Sequence, residues 1–112
     1  MKVQVQTKHL PISPQKLRLV CDQVRGMGAE QALTVLNFMP QKGAELVRKS
    51  VASALANAVN NFDLNRSDMF VATIYADEGP SLKRVKAGAR GRYKPRIRRT
   101  SHLTIVLDER GE

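Results

Sequence analysis

A chain of 112 residues holds one modest core and is too short for two. Its 42% hydrophobic content fits a globular protein rather than a disordered one, and 4% aromatics without tryptophan leave little for a platform of stacked rings. A formal charge of +9 predicts a polyanionic partner. One cysteine excludes an internal disulfide, no apolar run approaches the roughly 20 residues of a membrane span, and Met1–Gln6 lacks the core of a signal peptide, so a soluble cytoplasmic protein is expected.

Residues 2–8 alternate, with Val3, Val5 and Thr7 on one face and Lys2, Gln4, Gln6 and Lys8 on the other, the period of a half-buried strand. Leu10-Pro11 ends it. Ser13-Pro14 predicts a helix start, with Ser13 as cap and Pro14 at the first helical position. Leu17, Val20, Cys21 and Val24 then form one apolar stripe, with Lys16, Arg18 and Arg25 off it, and Gly26 supplies a left-handed stop. A second helix is predicted over Ala29–Phe38, with Ala32, Leu33, Leu36 and Phe38 inward, closed by Pro40. A third runs from near Gln41 to about Asn61, with Leu46, Val47, Val51, Ala54, Leu55, Ala58, Val59 and Phe62 as its stripe. Met69–Asp77 is the strongest strand pattern, setting Phe70, Ala72, Ile74 and Ala76 against Met69, Val71, Thr73 and Tyr75. Leu103–Leu107 is its expected partner.

Between these strands lies the stretch on which the functional reading turns. Residues 79–101 hold nine cations, Lys83, Arg84, Lys86, Arg90, Arg92, Lys94, Arg96, Arg98 and Arg99, and no carboxylate. The other ten cations are matched by ten acids, so the whole net charge sits in this one segment. Solvated charge runs interleave acids with bases; here no acid intervenes between Glu78 and Asp108. Such self-repulsion costs stability unless a polyanion neutralises it. More than 20 residues between two strands is too long for an idle loop. The prediction is a single α+β domain over 1–112: three helices packed on a small three-stranded antiparallel sheet, body 1–78 and 102–112, with a long basic β-hairpin arm over 79–101. Six arginines to three lysines suit bidentate phosphate contacts. Gly88 and Gly91 permit close backbone approach at the tip. Tyr93 leaves two readings open, stacking on a base or covering aliphatic stems.

Other chemistry is poorly supported. Gly88-Ala89-Arg90-Gly91 matches a GXXG loop in letters but lacks the flanking helices. Pro14–Phe38 resembles a helix-turn-helix without a convincing reading face. Asp77 and Glu78 alternate across a strand and cannot share a substrate, although Glu78 is placed to orient an arm cation. Cys21 reads as core. His9 and His102 end two strand-like runs but lack a nucleophile and an orienting carboxylate. No metal-ligand spacing or cofactor motif is present, and an enzyme is not expected.

Several blocks in order resemble one family: Ser13-Pro14-Gln15-Lys16-Leu17-Arg18, Val24-Arg25-Gly26, Ser53-Ala54 with Asn57-Ala58, Asp77-Glu78-Gly79-Pro80, Lys83-Arg84, Arg90-Gly91-Arg92 and Ile97-Arg98-Arg99-Thr100-Ser101-His102. Together they are similar to the bacterial-type large-subunit ribosomal proteins of family twenty-two, whose hairpin lines the peptide exit tunnel. The resemblance implies binding to large-subunit ribosomal RNA in the ribosome, neighbouring ribosomal proteins as partners, and a role in assembly. It implies RNA contacts by the nine arm cations, by Ser101 at the end of the arm, and by Lys8, His9, Lys16, Arg18, Arg25 and His102 on the body. It further implies that Gly88, Ala89, Arg90, Gly91, Arg92, Tyr93 and Lys94 meet the nascent polypeptide, where they would affect the room for macrolide antibiotics. One departure is Lys86-Ala87-Gly88-Ala89, where many relatives carry a Pro-Arg-Ala tip. The alternative from another class is an architectural DNA-binding protein with a basic β-ribbon arm. Such proteins are dimers with an apolar wedge at the tip.

Overall fold

In a computed structural model the chain runs β1 (Lys2–Leu10), α1 (Pro14–Val24), α2 (Ala29–Asn37), α3 (Lys42–Phe62), a 3-10 turn (Arg66–Asp68), β2 (Met69–Glu78), β3 (Leu82–Ala87), β4 (Tyr93–Arg98) and β5 (Ser101–Glu109). The structure describes residues 2–80, 82–87 and 93–109, the side chains of 82–87 and 93–98 excepted. The expected α+β fold forms. β5 lies between β1 and β2 in a three-stranded antiparallel sheet, and β3 pairs with β4 in a separate two-stranded ribbon. The radius of gyration is 17.0 Å, against about 13 Å for a compact chain of this length, and the extents are 66 × 25 × 18 Å. The difference is the ribbon standing off the body.

One face of the sheet carries the core. Leu103, Ile105 and Leu107 of β5 are fully buried, joined by Val3 of β1 and Ile74 and Ala76 of β2. Leu17, Val20, Cys21 and Val24 pack there as the predicted stripe of α1, and Val47, Val51, Ala54, Leu55 and Ala58 do so from α3. Gly43, near the start of α3, is in close contact with α1: a Cβ there would stand 3.2 Å from Ile12 Cδ1 and 3.3 Å from Val20 Cγ2. Ser50, the one buried polar residue of α3, bonds Leu46 O and shares a 3.1 Å hydrogen bond with the Thr7 hydroxyl of β1.

Three expectations need correction. The side chains of β2 do not alternate strictly, because its register with β5 shifts between Val71 and Thr73. An extra residue in one strand flips the side chains beyond it. Met69 and Val71 are therefore buried before the bulge, and Ile74 and Ala76 after it. Phe38 is 80% exposed rather than inward, because α2 ends at Asn37 and Phe38 caps it. Phe62, the last residue of α3, is 41% exposed, outside the core that its stripe position implied. In addition, Ser13 takes the extended N-cap conformation ahead of Pro14, but its side chain makes no capping bond. Gly26 adopts φ +85° as expected, and its N–H reaches Val71 O at 2.9 Å, fastening the end of α1 to the bulge in β2.

Cys21 is buried as predicted, and desolvation of the thiolate pushes its pKa up from 9.0 to about 11, with Asp22 adding and Arg25 and Arg18 offsetting. A raised thiol pKa favours the folded state fully below pH 9 and loses that contribution as pH climbs towards 11, since only the unfolded chain gives up its proton there. The loss is on the order of 2 kcal/mol. Denaturation midpoints compared between the parent and Cys21→Ala should therefore converge across that window. In the native state the thiol should resist a thiol reagent at pH 8 and react only on unfolding.

Candidate nucleic-acid interface

The interface is built outward from the end of β5. Ser101 pairs with Leu10 of β1 and with Glu78 of β2, so all three strands of the body meet at the root of the arm. Its hydroxyl donates to Ile12 O at 2.6 Å, tying the root to the loop before α1. Ser101 is fully buried. Its side chain is committed inside the fold, where it acts as a structural joint.

Beyond this pair the chain is cross-linked again before the ribbon starts. Gly79 N–H donates to Thr100 O at 2.9 Å, and the Thr100 hydroxyl donates to Pro80 O at 2.7 Å. Gly79 is there because nothing larger fits. A Cβ would stand 2.5 Å from Thr100 Oγ1, 3.2 Å from His102 Cε1 and 3.3 Å from the Thr100 carbonyl carbon. Glu78 lies 3.6 Å from the Arg99 guanidinium, the pairing of acid with arm cation that the sequence suggested. Both partners are exposed, so the pair contributes orientation more than stability.

His9 and His102 come together at the same place. The β1–β5 register shifts between Thr7 and Leu10, and His9 sits in that irregularity at φ +62°, a conformation uncommon outside glycine. Its N–H donates to His102 Nδ1 at 3.1 Å, and the rings meet edge to face with centroids 5.0 Å apart. Accepting that bond requires Nδ1 of His102 to be unprotonated, which leaves its proton on Nε2 as a donor.

On the body, Lys8 and Lys16 are exposed. Arg18 and Arg25 are exposed but engaged. Arg18 Nε donates to Ala76 O at 3.0 Å, and Arg25 donates to Ile74 O at 2.8 Å and to Asp22 Oδ1 at 2.7 Å. Both brace α1 against β2, the strand that feeds the arm, and each keeps guanidinium N–H groups in reserve. Periodicity placed these arginines off the apolar stripe but gave no sign of their carbonyl partners.

In the ribbon, Leu82 pairs with Arg98, Lys83 with Ile97, Arg84 with Arg96, Val85 with Pro95, Lys86 with Lys94 and Ala87 with Tyr93. Like charges directly opposite one another destabilise a strand pair, and Arg84–Arg96 and Lys86–Lys94 occupy such positions. Gly88, Ala89, Arg90, Gly91 and Arg92, expected to form the tip, lie outside the described residues. Among the described residues, no three of His, Cys, Asp and Glu are grouped to hold a metal ion, and no helix is long and apolar enough to cross a membrane.

The profile of the family described as ribosomal protein L22p/L17e matches residues 5–108. A protein of Desulfotalea psychrophila named large ribosomal subunit protein uL22 is 50% identical to this chain, covering 97% of it and 99% of the relative. Proteins of the same name from Chloroflexus aggregans and Finegoldia magna are 47% and 41% identical, covering 100% and 98% of this chain and 99% and 98% of the relatives.

Proposed function

The chain belongs to the ribosomal protein L22p/L17e family, and from that premise we propose that it is a structural constituent of the large ribosomal subunit that binds ribosomal RNA through its arm. The body sits on RNA among neighbouring ribosomal proteins, in the cytoplasm. The arm enters between RNA segments, bridges several of them during assembly, and brings residues 88–94 to the wall of the nascent-peptide exit tunnel. There the tip would also limit the room left for macrolide antibiotics.

The observation that carries this reading is a cationic ribbon without a carboxylate, held off a body whose own charges cancel. Two directly opposed cation pairs persist in its register, and a layer of phosphates would relieve them. The family relation counts against the architectural DNA-binding alternative. Affinity in this reading comes from counterion release. If all nine arm cations met phosphates, log affinity would fall against log salt with a slope of about −6 to −8. A tagged copy expressed in bacterial cells should sediment with large ribosomal subunits through a sucrose gradient and stay with them after a moderate salt wash. Recovery with nucleoid DNA, or at the top of the gradient, overturns the proposal.

A further inference from the structure

We propose that the arm is a two-faced ribbon in which one face binds RNA phosphates and the opposite face binds RNA bases and riboses. This rests on the RNA-binding reading above and divides the work within it. The register carries the inference. Each cross-strand pair shares a face, and faces alternate along each strand. Pairs 82–98, 84–96 and 86–94 therefore share one face, and pairs 83–97, 85–95 and 87–93 share the other. The first face has Leu82, Arg84, Lys86, Lys94, Arg96 and Arg98, five cations in six positions. The second has Lys83, Val85, Ala87, Tyr93, Pro95 and Ile97, one cation in six. A slip of one residue would mix the two sets, so this register is what separates them.

A face with five cations suits phosphates; a face with one, and with an aromatic ring, a proline ring and branched aliphatics, does not. The choice of bases over a protein partner follows from size. Each face offers six residues, far fewer than the roughly 20 to 30 that each partner brings to a stable protein interface. Base stacking needs no such extent, and it is tolerant of sequence because every base presents a π face. The ribbon is thin and forms its own sheet, so RNA that wraps it meets both faces together.

The test uses the full chain and large-subunit ribosomal RNA transcribed in vitro, with affinity measured across a salt series. Arg84→Ala with Arg96→Ala should flatten the log–log slope by about 1.4 to 1.8. Tyr93→Ala should lower affinity about tenfold with the slope unchanged, Ile97→Ala should do the same to a smaller degree, and Tyr93→Phe should bind as the parent does. Tyr93→Ala binding at parental affinity overturns the proposal. So does a slope that falls with Tyr93→Ala, or an apolar face that proves to govern self-association instead. Parental binding without salt dependence overturns the underlying RNA-binding reading, which separates the two failures. An unchanged thermal midpoint confirms that each variant is folded.

Discussion

Replacing residues 82–98 with a Gly-Gly turn is expected to leave a folded body and to abolish tight binding to large-subunit ribosomal RNA. The body should survive because its sheet closes without the ribbon. Ser101 still pairs with Glu78 and Leu10, and Gly79 still bonds Thr100, all outside the replaced segment. Among the residues whose side chains are described, the buried ones that form the core also lie outside it. Far-ultraviolet circular dichroism and the urea midpoint should therefore stay close to the parent. The replacement removes eight of the nine arm cations and leaves Arg99. At about 0.7 to 0.9 per phosphate contact, the salt slope should flatten by about 6 to 7, with a loss of affinity of at least a thousandfold at moderate salt. Parental affinity in this variant would move the interface to Lys16 and Arg18 of α1 and Arg25 at its end. A variant that fails to fold would show that the ribbon is part of the body, contrary to the separate sheets observed.

What could be read from the sequence, and what could not, divides along a physical line. Helices announce themselves through period. Leu17, Val20, Cys21 and Val24 recur at helical spacing, and all four are buried. The ends of β2 and β5 were also legible in outline, since β-branched runs flanked the basic segment. The bulge between Val71 and Thr73 was not, because no residue there marks a bulge and the alternation reads equally well without one. The same limit applies to the ribbon. At the root, the bond between Gly79 and Thr100 and the pair Glu78–Ser101 set one register, whereas Leu82 pairs with Arg98, one residue out of step. Counting outward from the root would have placed Arg84 opposite Pro95 and scrambled the two faces. Charge gave the arm its partner class, but only register gave it sides.

Buried polar groups were the other blind spot. Ser101 looked like one of a row of polar and basic residues available to RNA, and nothing local distinguished it from Thr100 or His102. Its burial comes from its place between β1 and β2, a tertiary fact, and from the carbonyl of Ile12 that accepts its hydroxyl. Arg18 and Arg25 show the milder form. Their charge suggested RNA, while their bonds to Ala76 O and Ile74 O also hold a helix to a strand edge. Both roles are compatible, because a guanidinium fixed by one carbonyl is already oriented for a phosphate.

Gly79→Ala should weaken both the fold and the RNA complex, although it removes no charge. The added methyl meets Thr100 Oγ1 at 2.5 Å and the Thr100 carbonyl carbon at 3.3 Å. Neither gives way easily, because the Thr100 hydroxyl is held on Pro80 O and its carbonyl accepts from Gly79 itself. Relief therefore requires the strands at the root to separate, at a cost of about 1 to 3 kcal/mol. Because β3 and β4 make their own sheet, a small change of angle at this joint is carried out to the far end of the arm. On the proposed reading, an arm meeting phosphates and bases along its length then loses alignment with several of them together. Val51→Ala supplies the comparison, since a cavity under α3 destabilises the core by a similar amount while leaving the joint intact. With urea midpoints lowered in both, only Gly79→Ala should lose RNA affinity at a temperature where both proteins are folded. Equal RNA affinity in the two variants would mean that the joint does not aim the arm, and that its direction is set by the RNA alone.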